Sequence, residues 1–151
     1  MAAADRRFVQ KAAMAGMAEV ELGQLAQQKA SDDQVKQFGA HMVQDHGKAN
    51  DELKQVASAK GLQLPTGLDG KHAKGMKKLQ QLSGADFDRE YATMMVADHK
   101  EVVSEFQKQA KSSKDADVKA FAEKTLPTLQ EHLKMAQALN GSAKGKKKTG
   151  S

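Results

Sequence analysis

Met42-Val43-Gln44-Asp45-His46 returns later in the chain as Met95-Val96-Ala97-Asp98-His99. Glu52 and Ala57 follow the first copy at the distances at which Glu105 and Ala110 follow the second. Each copy sets an acid beside a histidine in a segment that otherwise reads as amphipathic helix. Apolar residues recur around both copies at spacings of three and four, which is the helical period. In the second copy's segment Phe87, Tyr91, Met94, Val102 and Phe106 form the stripe, and Asp98 fills its missing step. In the first copy's segment Val35, Phe38, Met42, Ala49, Leu53 and Val56 face one way, and the gap falls at Asp45 and His46.

Two further helices show the same interruption. From about Asp5 to Lys29 the stripe Phe8, Ala12, Ala15, Leu22 and Ala26 is completed by Glu19. Towards the C-terminus Val118, Ala122, Thr125, Leu129, Leu133, Ala136 and Leu139 are joined by His132. Ser31-Asp32-Asp33 supplies a turn and an N-cap, Gly61 ends the second helix, and Asn140-Gly141 is expected to end the last. Pro127 falls inside that last helix and should bend it or loosen one turn. Between Gly61 and Gly84 the pattern weakens to a crossover (about 61–85) with a short helical piece from about His72 to Leu82. Val35-Lys36-Gln37-Phe38-Gly39 is echoed by Val118-Lys119-Ala120-Phe121-Ala122, so the chain reads as two related hairpins joined by a long connection. The fold expected is all-α, a ferritin-like antiparallel four-helix bundle over residues 1–140.

Composition agrees. A chain of 151 residues is one domain by default and needs no staples, and without cysteine it has neither disulfides nor thiolate metal ligands. The stretch 141–151 carries Lys144, Lys146, Lys147 and Lys148 and no acid, so it supplies four units of the formal net charge of +5. It reads as a disordered Lys-rich tail on a nearly neutral body. A neutral body with no Trp and one Tyr does not suit nucleic-acid binding. No apolar run is long enough to span a membrane. No signal peptide opens the chain; Met1-Ala2-Ala3-Ala4-Asp5 reads equally as a mature end left by cleavage and as a cytosolic start. No Gly-rich phosphate loop and no nucleophile elbow is present.

Glu19, Asp45, His46, Asp98, His99 and His132 therefore fall near the middles of four helices, and antiparallel packing brings midpoints to one level. Buried charge must pair with itself, with water or with metal. A divalent ion is expected there, Zn²⁺ first, with Fe and Mn accepting the same imidazole and carboxylate donors. Where Asp and His are adjacent, one can ligate while the other supports it, because neighbours on a helix point about 100° apart. The competing reading is a metal-free His–carboxylate network that fixes helix register. Met42 and Met95 each precede a histidine by four residues and Met135 follows His132 by three, which leaves Cu(I) open. No bundle helix carries the Glu-x-x-His pattern of di-iron proteins, so redox catalysis on that ligand set is not favoured. The nearest spacing, Asp69-x-x-His72, lies in the crossover, where His72 reads as a loop histidine. His41 reads as a surface residue and Tyr91 as packing with a hydrogen bond.

The chain resembles the domain-of-unknown-function 4142 family from about Asp5 to Leu139. The resemblance rests on Glu19-Val20-Glu21-Leu22-Gly23, Met42-Val43-x-Asp45-His46, Phe87-Asp88-x-x-Tyr91, Asp98-His99, and Leu126-Pro127 followed by His132-Leu133. It implies a ferritin-like bundle, an exported and periplasmic location and a stress-associated role, with no settled activity. The Lys-rich tail is not part of the pattern. Ferritin-like bundles assemble as dimers or cages, so a homo-oligomer stays open, and no protein partner is indicated.

Overall fold

The computed structural model describes the backbone of residues 1–149 and the side chains of residues 1–141. Five helices follow one another: α1 (Ala3–Lys29), α2 (Asp33–Ala59), α3 (Gly70–Gln80), α4 (Gly84–Ser112) and α5 (Ala116–Thr149). Asp32 caps α2 by accepting from the Gln34 amide at 2.8 Å, and Asp69 caps α3 by accepting from the His72 amide at 2.8 Å. Gly61, at φ 66°, takes the left-handed conformation that closes α2, as its position in the sequence suggests. Gly141 has no positive φ, so nothing stops α5 there, and the helix continues to Thr149 rather than ending at Asn140-Gly141. From residue 142 onward the expected disordered tail lies outside the residues whose side chains are described. Pro127 is on the exposed face of α5, where the carbonyl left without its amide partner can meet water, and α5 runs through it as one helix.

The four long helices form a ring in the order α1, α2, α5, α4, with α3 laid against α1 and α4. Two buried carboxylates fix their directions. Asp5, at the start of α1, accepts from Ser113 Oγ (2.9 Å), Lys114 N (3.1 Å) and Asp115 N (2.9 Å) in the α4–α5 turn. Asp88, near the start of α4, accepts from Ser31 N (3.1 Å), Ser31 Oγ (2.6 Å) and Asp32 N (3.0 Å) in the α1–α2 turn. Each hairpin thus seals the turn of the other, and α1 and α4 run antiparallel. Lys60, at the end of α2, pairs with Asp115 (3.2 Å) and Asp117 (2.8 Å) at the start of α5, so the connection through α3 must travel the length of the bundle. The hairpin α1–α2 closes most tightly at Gly23 and Gly39, where a Cβ on either would stand 2.7 Å from the other's carbonyl oxygen.

The apolar core is in two parts. Ala18, Leu22, Val35, Phe38, Met42, Leu79, Phe87, Tyr91 and Met95 fill one end. Phe8, Val9, Leu53, Val103, Phe106, Phe121 and Leu129 fill the other. Where the two sets meet along each long helix stands a polar residue, each under 10% exposed: His46, Asp98 with His99, and His132 fall between them, and Glu19 follows Ala18 at the edge of the first. The repeated Glu52 and Glu105 lie on the outside, pairing with Lys124 across α2–α5 (3.0 Å) and with Lys11 across α1–α4.

Candidate metal centre

The six residues singled out from the sequence do not form one cluster. Five of them divide into two groups, with the division falling within the pair Asp98-His99, and Asp45 belongs to neither. His46, His99 and His132 each offer a ring nitrogen within 4.8 Å of the others, from α2, α4 and α5. Glu19 and Asp98 instead gather with His72, from α1, α4 and α3, at the same mutual distance. Neighbours on a helix diverge by about 100°, so Asp98 faces α1 and α3 while His99 faces α2 and α5.

The three imidazoles are packed ring to ring, with centroids 5.1 Å apart for His46–His132, 5.5 Å for His99–His132 and 5.8 Å for His46–His99. His99 Nδ1 lies 2.8 Å from the Met95 carbonyl. That oxygen can only accept, so Nδ1 carries the proton and Nε2 keeps its lone pair. His132 Nε2 lies 2.8 Å from Asp45 Oδ2, which by the same logic leaves its Nδ1 as the free lone pair. His99 Nε2, His132 Nδ1 and His46 Nε2 are all buried without a hydrogen-bond partner. Burial holds the three rings neutral. It pushes His99 down to about 4 from 6.5, lowers His46 well below its usual value with help from the other two rings, and lowers His132 against the opposing pull of Asp45. Asp45 is therefore placed behind a histidine, not among the three rings, and with its side chain 37% exposed it connects His132 to solvent.

In the other cluster His72 Nδ1 is 2.8 Å from Asp69 Oδ1, and its Nε2 is 3.2 Å from Asp98 Oδ2. Hydrogen bonding to Asp98, outweighing desolvation, pushes His72 up to about 9. Burial, followed by the charge of Asp98, pushes Glu19 well above the usual carboxyl range. Tyr91 stacks on Phe87 at 5.8 Å, and its hydroxyl, expected to find a hydrogen bond, is buried without one. The reading of His72 as a loop histidine is corrected here: it stands in the first turn of the crossover helix, only 11% exposed, and closes on Asp98. His41 is exposed, as expected.

A cavity of about 20 Å³ touches both clusters, lined by Glu19 and Asp98 on one side and His46 and His99 on the other. That is room for one water or ion. Gly16 and Asn50 complete its wall, and a Cβ on Gly16 would meet Asn50 Oδ1 at 2.0 Å, so α1 must be bare there for the amide to fit. Neither residue stood out in the sequence, although Gly16 precedes Glu19 by three and Asn50 follows His46 by four, the spacings of a shared helix face.

An all-α, ferritin-like bundle with a buried layer of imidazoles and carboxylates is thus the class that fold and site define. The chain matches the family described as Domain of unknown function (DUF4142) over residues 1–139, and it belongs to that family. No curated protein sequence matches it. Among solved structures it is similar to a putative secreted protein, DUF305, from Streptomyces coelicolor (15% identity, 93% of this chain and 92% of that one, TM-score 0.79). It is also similar to CopM in its Cu(II)-bound form (15% identity, 91% of this chain and 96% of that one, TM-score 0.77). At such identities these likenesses establish the fold.

Proposed function

We propose that the protein is a metal-binding bundle that holds a Zn²⁺ or Cu²⁺ ion on the imidazoles of His46, His99 and His132. The observation that carries this reading is the set of three buried ring nitrogens, one per histidine, without hydrogen bonds and on three different helices. A metal-free network would satisfy those atoms with one another. Yet the ring nitrogens find hydrogen bonds only outward, to the Met95 carbonyl and to Asp45, among the described residues. Outward bonds of this kind orient a histidine and raise its basicity towards an ion. Neutral imidazole is the ligating form, and burial keeps all three rings in it.

Three imidazoles with an open fourth position suit Zn²⁺, and the same donors bind Cu²⁺ more tightly at equilibrium. The likeness to a bundle described in a Cu(II)-bound form supports keeping copper beside zinc. Asp45 supplies the route inward. It borders an open surface hollow with Lys48, Glu52 and Lys124, and it touches His132 directly. The secreted description of the other similar bundle, and the family resemblance, support an exported location.

The test is metal content and calorimetric titration of untagged protein stripped with EDTA and reloaded with Zn²⁺ or Cu²⁺. One tightly held ion per chain, lost in His46→Ala and in His132→Ala, is the expected result. Equal metal content in wild type and both variants would remove the proposal.

A further inference from the structure

The crossover helix places a residue where the four-helix layer alone would leave two acids. Glu19 on α1 and Asp98 on α4 are 2% and 4% exposed, and His72 on α3 closes over them. Two carboxylates forced together in an apolar bundle repel, and one histidine offsets only part of that charge. Glu19 Oε2 is fully buried with no hydrogen-bond partner, and the equally buried Asp98 Oδ2 has only His72 Nε2 beside it, at 3.2 Å. The Tyr91 hydroxyl, two turns before Asp98 on α4, is likewise buried without a partner. Polar atoms this deep are normally satisfied, and a cluster of orphaned oxygens around one imidazole is what a small cation would satisfy.

We propose that Glu19, His72 and Asp98 form a second cation site, separate from the three imidazoles, that selects an oxygen-preferring divalent ion of the Mn²⁺ type. The donor chemistry separates the two sites: two carboxylates and one imidazole favour Mn²⁺ over Cu²⁺ relative to three imidazoles. Asp69 orients the His72 ring through Nδ1 at 2.8 Å, leaving Nε2 directed at Asp98, the arrangement in which a carboxylate supports a histidine ligand. Lys71 Nζ is 3.7 Å from Asp98 Oδ1, but its hydrogen bond is to Glu101 at 3.0 Å and its side chain is 63% exposed, so it can turn outward when an ion arrives. Because His72 belongs to α3 and its partners to α1 and α4, the ion would also fasten the crossover to the bundle.

The test uses the EDTA-stripped full-length protein and Mn²⁺ alone, with free Mn²⁺ followed by electron paramagnetic resonance. The doubly substituted His46→Ala/His132→Ala protein should still bind one Mn²⁺ per chain. His72→Gln and Glu19→Gln should each weaken Mn²⁺ at least about tenfold, while Zn²⁺ or Cu²⁺ binding at the imidazoles persists. His72→Gln lies on the outer helix and leaves the four-helix core intact, and helicity measured by circular dichroism certifies each variant. Mn²⁺ binding unchanged in both variants overturns the proposal, as does no Mn²⁺ bound by wild type at millimolar concentration. Loss of Zn²⁺ or Cu²⁺ together with Mn²⁺ in His72→Gln would mean one shared site, and would overturn it as well. Failure of the three-imidazole reading shows differently, as Zn²⁺ and Cu²⁺ content indifferent to His46 and His132.

Discussion

The three-imidazole cluster and the cluster of Glu19, His72 and Asp98 border one small cavity and share one turn of α4, yet their histidines are driven to opposite protonation states. Among the imidazoles burial meets like with like. There is no acid among the three rings, so desolvation wins and the histidines are driven neutral. Around His72 the carboxylates of Asp98 and Asp69 outweigh desolvation and drive the histidine cationic, while burial and the charge of Asp98 drive Glu19 towards its protonated form. In the metal-free protein the same residue type is held neutral on one side and cationic on the other. Neighbouring charge, more than depth, decides which.

The comparison can be broken at its strongest point first. Removing one ring, as in His99→Ala, should weaken Zn²⁺ or Cu²⁺ by more than about a hundredfold, since a ligand is lost outright; a competition titration against a chelator of known affinity reads this. Asp45→Asn keeps the hydrogen bond to His132 but removes its charge. An orienting partner of this kind is worth about 10- to 100-fold in metal affinity. An Asp45→Asn protein with wild-type affinity would show that the carboxylate plays no part in preparing the ring.

The pH dependence of the metal-free protein sharpens the contrast, because the two clusters act with opposite sign. His99 titrates near 4 in the fold against 6.5 unfolded, so the unfolded chain takes up protons first and stability falls as pH drops from 6.5 towards 4. His72 titrates near 9 in the fold against 6.5 unfolded. Its contribution is fully present below 6.5 and is lost as pH rises through 9. Urea melts across this range should therefore show a decline on both sides. His72→Gln should flatten the alkaline limb and leave the acid limb in place. The smallest effect expected is that of Gly16→Ala, whose Cβ displaces the flexible Asn50 side chain without meeting any backbone. It should cost about 1 kcal/mol and disturb metal binding less than Asp45→Asn; a larger loss of affinity would make Asn50 part of the site.

Much of the bundle could be read before folding because its signal is periodic. A stripe at spacings of three and four identifies a helix and its buried face, and a polar residue completing such a stripe is legible as buried. Glu19, Asp98 and His132 were found that way, and all three are under 5% exposed. His72 was not. It sits in an eleven-residue helix that buries only Leu79 fully, so no stripe announced which way it faced. Asp5 and Asp88 escaped for a related reason: each is buried to cap a turn of the other hairpin, a contact between residues about a hundred and about sixty positions apart that leaves no local pattern. The C-terminal boundary was misplaced because glycine ends a helix only when its backbone turns left-handed, and Gly141 does not.

By itself, then, the sequence determined the helices, their pairing into two related hairpins and the level at which polar groups are buried, since these follow from hydrophobic period and turn chemistry. The tertiary structure decided how those groups are shared out. Asp98 and His99 are adjacent in the chain but diverge around α4, and only the positions of α3 and α5 determine that one meets His72 and the other meets His132. A division into two clusters is set by distances between helices, and no spacing along a single helix encodes those.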